Sequence, residues 1–190
     1  MRILMLGNSF TYFNDMPSIL AALTGWDVHA HTRGGAYLSE HLDPEAELGR
    51  KTLPVLRGEK WDYVILQEQS RGPYECRDAY IRSVRDLCAL ARQAGAVPVI
   101  YATWAYREGS QKLAQTGLRY QEMLDALHDA CHAAAKENDA LIADVGLAFA
   151  AARHQQDLYV SDDYHPSSDG SLLAAQTLAA CIREHLTDAH

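Results

Sequence analysis

Short apolar runs alternate along this chain with longer stretches of helical periodicity. Arg2 to Leu6 is an apolar run closed by Gly7, the pattern of a buried strand. Pro17 to Leu23 reads as a helix, with Asn14 or Asp15 as its cap and Pro17 in its first turn. Trp26 to Thr32 alternates as a second strand and ends at Gly34-Gly35. Glu45 to Leu56 is helical, with expected breaks near Gly49 and Pro54. Asp62 to Leu66 is a third strand, whose continuous Tyr63, Val64 and Ile65 imply burial on both faces. Arg77 to Ala94 carries Val84, Leu87, Cys88 and Ala91 on one helical face, with Gly95 as its stop. Val97 to Thr103 is a fourth strand, Gln111 to Lys136 one long helix and Ala140 to Val145 a fifth strand. Ser168 to Leu186 closes the pattern as a helix capped by Ser167 or Ser168.

Strands that alternate with helices predict a parallel sheet with right-handed crossovers and helices on both faces. The 190 residues suit one domain, 1–190, with no linker or repeat. A composition of 48% hydrophobic and 22% charged residues is that of a folded globular chain. The net charge of −8 and the lack of a basic stripe argue against nucleic acid. That charge also counts mildly against anionic substrates. No apolar run approaches the roughly 20 residues of a membrane helix, so no membrane partner is expected. Cys76, Cys88, Cys131 and Cys181 form no CxxC pair and read as reduced thiols, which with the N-terminal pattern points to the cytoplasm. The oligomeric state is left open.

Ligands in such sheets sit beyond the carboxyl ends of the strands. Those ends carry Gly7-Asn8-Ser9, Gly34-Gly35, Gln67-Glu68-Gln69-Ser70, Thr103-Trp104, and Asp144, with Asp162-Asp163-Tyr164-His165 further on. A hydroxyl, a base, an orienter for that base and donors for an oxyanion are the inventory of nucleophilic acyl transfer. Gly7-Asn8-Ser9 after the first strand, with Asp162-x-x-His165 near the C-terminus, resembles the SGNH hydrolase superfamily of GDSL-type esterases and lipases. The resemblance covers almost the whole chain. It implies an α/β/α three-layer sandwich with a five-stranded parallel sheet in the flavodoxin-like order 2-1-3-4-5. It also implies a carboxylic ester hydrolase with Ser9 as nucleophile, His165 as base and Asp162 as its orienter. Asp163 is the alternative orienter, at the wrong spacing. The oxyanion donors implied are the Ser9 and Gly35 backbone N–H groups and an amide after the third strand. The family's Gly-x-Asn is replaced here by Gln67-Glu68-Gln69. Gln69 aligns best with the family Asn, and Gln67 is its alternative, because strand alternation points both the same way. Glu68 then points opposite, to pair with Arg33 or Arg71 or to be solvated. Asn8 stands where the family has Asp and shapes the turn.

Trp104 and Tyr37 are candidate substrate-binding aromatics, with core or rim packing the alternative for Trp104. Tyr12, Tyr106 and Tyr164 also flank the expected site. His128 and His132, four residues apart on a helix, have the spacing of a zinc pair, but no third ligand is evident and a structural role is expected. His29 and His31 read as packed or hydrogen-bonded. No cofactor, metal or phosphate loop is expected. The reading is a serine esterase for small acetyl-like oxygen esters, with carbohydrate esters as first substrate. A lysophospholipase, a thioesterase or a non-catalytic glycan- or acyl-binding relative is the alternative. Little chain remains for a lid, so a shallow, open site is expected.

Overall fold

The computed structural model describes residues 1–188. Five strands, β1 (Arg2–Gly7), β2 (Asp27–Thr32), β3 (Tyr63–Leu66), β4 (Val97–Ala102) and β5 (Leu141–Asp144), pair in parallel in the order β2-β1-β3-β4-β5. This is the expected three-layer order. β1 leads into α1 (Ser9–Tyr12) and α2 (Met16–Thr24), and β2 into α3 (Glu47–Gly58). β3 leads into α4 (Gly72–Glu75) and α5 (Arg77–Gln93), and β4 into α6 (Gln111–Ala114) and α7 (Tyr120–Glu137). α8 (Val145–Ala152) and α9 (Ser168–Asp188) follow β5.

Strand alternation divides the core. Ile3, Met5, Tyr63 and Ile65 pack with Leu20 of α2 and Leu178 and Ile182 of α9. Leu4, Leu6, Val64 and Leu66 pack on the other face with Leu56 of α3, Val84 and Leu87 of α5, and Ala134 of α7. β1 from Ile3 onward and the whole of β3 are buried, as their apolar runs require; β2 is an edge strand, less buried. There His29 pairs with Asp27 and His31 Nδ1 meets Thr52 Oγ1, so both are hydrogen-bonded as expected.

Several element boundaries differ from expectation. α3 runs unbroken through Gly49 and Pro54. A Cβ on Gly49 would lie 1.7 Å from the Asp43 carbonyl oxygen, so this glycine permits a close approach instead of ending the helix. Pro54 is exposed, so the carbonyl that loses its intrahelical partner can be solvated. The long helix expected over 111–136 is two helices, separated by a turn with Gly117 at φ +75°. Asn14 does not cap α2; its amide donates to the Pro166 carbonyl and Ser171 Oγ, binding the start of α2 to α9. Asp15, at the cap position, makes no side-chain cap bond. Ser167 does cap α9, accepting from Gly170 N–H at 3.1 Å. All four cysteines are free. Among the described residues no helix is long and apolar enough to cross a membrane.

Candidate active site

The end of β1 is built by close packing. A Cβ on Gly7 would fall 2.6 Å from both Gln67 Oε1 and Thr11 Oγ1, so any larger residue there would displace these two side chains. Asn8 follows in extended conformation, and its Oδ1 accepts from Phe10 N–H while its amide donates to the Ala36 carbonyl. One side chain thus caps α1 and ties it to the loop after β2. Ser9 opens α1 and is 8% exposed.

His165 arrives from the opposite end of the chain. Its Nε2 lies 2.8 Å from Ser9 Oγ, and its Nδ1 lies 2.7 Å from Asp162 Oδ2. A carboxylate only accepts, so Nδ1 carries the ring proton and Nε2 presents its lone pair to the Ser9 hydroxyl. The second Asp162 oxygen accepts from the Tyr164 and His165 backbone N–H groups. Burial pushes the Asp162 carboxyl up, but these bonds from His165 and Tyr164 outweigh it and hold it below its ordinary value. Asp163 does not compete: it sits at φ +68° and pairs with Arg107 at 2.8 Å. The imidazole is stacked on Phe13, 4.1 Å between centroids, with Tyr164 at 4.0 Å on it as well. Phe13 carries no sequence signal for this contact, since it lies outside the motifs.

The two glutamines do not share a direction. β3 ends at Leu66, so strand alternation does not extend to them. Gln67 is fully buried; its Oε1 accepts from Asn8 N–H and Thr11 Oγ1, and its amide donates to the Glu68 carbonyl. It is a brace beneath the serine turn, which removes it as the alternative oxyanion donor. Gln69 lines the cleft. Its Oε1 accepts from Arg71 and Gly72 N–H at 2.8 and 3.1 Å, which fixes the amide orientation. Nε2 then reaches Ser70 Oγ at 3.3 Å with one hydrogen and keeps the second free. The backbone N–H groups of Ser9 and Gly35 donate to no acceptor among the described residues.

Glu68 pairs with neither Arg33, which meets Glu40, nor Arg71, which meets Glu75. It is 5% exposed and accepts from Leu38 N–H at 3.2 Å and Gln69 N–H at 2.6 Å. Burial pushes its carboxyl up to about 7, against the opposing pull of those two bonds. It joins the loop after β2 to the loop after β3.

Trp104 is fully buried, and this corrects its expected substrate contact. Its indole is stacked between Phe10 (4.5 Å) and Phe149 (4.1 Å), and Nε1 donates to the Tyr164 carbonyl. Its size, apolar faces and single donor suit an interior post behind both halves of the site. Tyr37 is exposed but does not line the cleft. The cleft beside Ser9 has a volume of about 390 Å³ and is walled by Tyr12, Phe13, Tyr106 and Tyr164. The split of the expected long helix supplies a further wall, Lys112, Gln115 and Thr116 from α6 and its turn. Lys112 Nζ lies 4.4 Å over the Tyr164 ring, and Arg71 also faces the cleft. No Asp or Glu side chain lines it among the described residues, so the net charge does not carry over to the cleft. His128 and His132 stand apart from it and meet Asp144 at the end of β5, a third potential ligand that was not evident in the sequence.

No protein-family model and no curated protein matches the chain. Solved structures do. A DUF4886 family protein from Bacteroides uniformis is 22% identical, over 95% of this chain and 82% of that one, with a TM-score of 0.75. Axe2, an acetylxylan esterase from Geobacillus stearothermophilus, is 18% identical, over 95% and 93%, with a TM-score of 0.69. At such identities the likeness is one of fold. A protein of Slackia heliotrinireducens assigned to the SGNH hydrolases is 46% identical, over 96% of this chain and 98% of that one, with a TM-score of 0.90. That identity, sustained over nearly the whole of both chains, establishes that this protein belongs to the SGNH hydrolases.

Proposed function

We propose that the protein is a serine esterase that hydrolyses small acetyl-like oxygen esters, with carbohydrate esters as first substrate. The observation that carries this reading is the unbroken hydrogen-bonded series from Ser9 through His165 to Asp162 at the edge of the cleft. Ser9 Oγ attacks the ester carbonyl carbon while its proton passes to His165 Nε2. Asp162 holds the tautomer and stabilises the imidazolium that forms. The oxyanion is met by the Ser9 and Gly35 N–H groups and the free Gln69 amide hydrogen. Collapse expels the alcohol, which takes the proton from Nε2, and leaves an acyl-serine. Water, deprotonated by His165, then attacks the acyl-serine; the acid leaves and Ser9 regains its proton.

The small volume of the cleft supports a short acyl group, and its aromatic walls suit a sugar ring on the alcohol side. The activity of Axe2, an acetylxylan esterase of the same fold, supports the same choice. Four free thiols, two of them fully buried, support a cytoplasmic setting.

The test is hydrolysis of p-nitrophenyl esters of rising acyl length, with Ser9→Ala as control. We expect acetate to be preferred and Ser9→Ala to lose on the order of 10⁴-fold or more in kcat. A fluorophosphonate should label Ser9. An unlabelled Ser9, or a Ser9→Ala variant at the wild-type rate, overturns the mechanism. A preference for long acyl chains or thioesters overturns the substrate class.

A further inference from the structure

A second cluster of chemically able side chains lies outside the Ser9 cleft. His128 and His132 are one helical turn apart on α7, and their rings stack with centroids 4.0 Å apart. Asp144, the last residue of β5, comes up against them, with its Oδ1 2.8 Å from His132 Nε2. One potential ligand atom from each of the three residues lies within 4.8 Å of the others. Ligands about 2.0–2.2 Å from a tetrahedral ion are separated by about 3.4 Å, so small side-chain rotations close the set.

We propose that His128, His132 and Asp144 form a binding site for a divalent transition-metal ion of the Zn²⁺ type, with a solvent molecule as fourth ligand. The donor set decides the class of ion. Two imidazoles and one carboxylate suit Zn²⁺ and its neighbours and are poor for Mg²⁺ or Ca²⁺, which favour all-oxygen shells. Asp144 is free to serve: it occupies the cap position of α8, yet its side chain makes no cap bond. The side chains are only about one-third exposed, at 35%, 38% and 31%, which holds down the cost of ordering them further. The His128 ring already has an outer carboxylate, Asp129 Oδ1, 3.3 Å from Nδ1, an arrangement that orients a ligating histidine. On binding, the hydrogen shared by His132 Nε2 and Asp144 gives way to two bonds to the ion, and the ring proton moves to Nδ1. The ion clamps α7 to the end of the edge strand β5. The same crevice includes Thr103, and a Cβ on Gly146 would lie 2.4 Å from the Thr103 carbonyl oxygen, so the clamp sits where β4, β5 and α8 converge.

The test is calorimetric titration of the metal-free, tag-free protein with Zn²⁺, followed by thermal melts with and without the ion. Co²⁺ absorption reports the ligand geometry. We expect one equivalent bound, a raised melting temperature and the visible spectrum of four-coordinate Co²⁺. His128→Ala/His132→Ala should lose all three. Loss of an outer partner alone costs about 10–100-fold in affinity, so loss of a ligand should cost at least that. Asp144→Asn keeps an acceptor for His132 and so keeps the fold, but it should bind at least tenfold more weakly. Absence of stoichiometric Zn²⁺ binding overturns the proposal. So does undiminished binding in the double variant, which would place the ion on the thiols or on His165.

Discussion

Glu68→Gln isolates the consequence of burying a carboxyl between two loops. The wild-type group titrates near 7 in the fold against 4.5 for a free glutamate. Below about pH 4.5 it is neutral in both folded and unfolded chains. As pH rises toward 7 the unfolded chain has released the proton and the folded chain has not, so stability falls. At roughly 1.4 kcal/mol per unit of separation, the loss across that window is about 3 kcal/mol. Because Glu68 is 5% exposed, water screens little of it. Glutamine cannot ionise, and its amide oxygen can accept from Leu38 and Gln69 N–H as Oε1 does now. The variant should therefore match the neutral wild type at low pH and become the more stable of the two above pH 7. Urea titrations at a series of pH values measure this. With m typically about 1–3 kcal/mol/M, the midpoint of the variant should move ahead by about 1–3 M between pH 4.5 and 8. A difference in midpoints that does not change with pH would refute the assignment of a raised Glu68.

Gln69→Ala should lower kcat by about 10²-fold or more, as loss of an oxyanion donor does, with little change in melting temperature. Gln67→Ala should do the reverse, costing about 1–3 kcal/mol because Asn8 N–H is left buried without a partner; kinetics and urea melts of both variants decide. Asp162→Asn should lower kcat by about 10⁴-fold with esters, while Asp163→Asn stays near wild type; equal losses would contradict the assignment of Asp162. Trp104→Ala should cost about 3–5 kcal/mol in urea unfolding, since it removes the slab between Phe10 and Phe149. A loss under about 1 kcal/mol would show that the stack carries little.

The parallel sheet was legible because apolar strands alternate with helical stretches; its order followed from the family resemblance and not from that pattern. Ser9 was legible at the end of β1, whereas Asp162 and His165, well beyond β5, were singled out by the spacing that resembles the family motif. Alternation failed at Gln67 and Gln69 because it holds only within a strand, and β3 stops at Leu66. The burial of Glu68 escaped because its partners, Leu38 N–H and Gln69 N–H, are backbone groups that no side-chain pattern announces. Trp104 stands at a strand end but faces the interior, a choice made by Phe10 and Phe149 from distant elements. The turn at Gly117 was hidden because the apolar spacing continues on either side of it. Asp144 was not recognised as a partner of His132 because the end of α7 and most of β5 lie between them in sequence, whereas the packing of α7 against β5 sets them side by side.

Ser9 and His165 touch across 156 positions of sequence, and this has a consequence during biosynthesis. At about 5–20 residues per second, roughly 8–30 s of translation separate the emergence of the serine from that of its partner. For that interval the nascent chain carries an ordinary hydroxyl, because the imidazole that would activate it has not yet been polymerised. The reactive pair therefore forms only after the whole sheet has left the ribosome, and the newborn chain cannot attack esters around it before its architecture is complete.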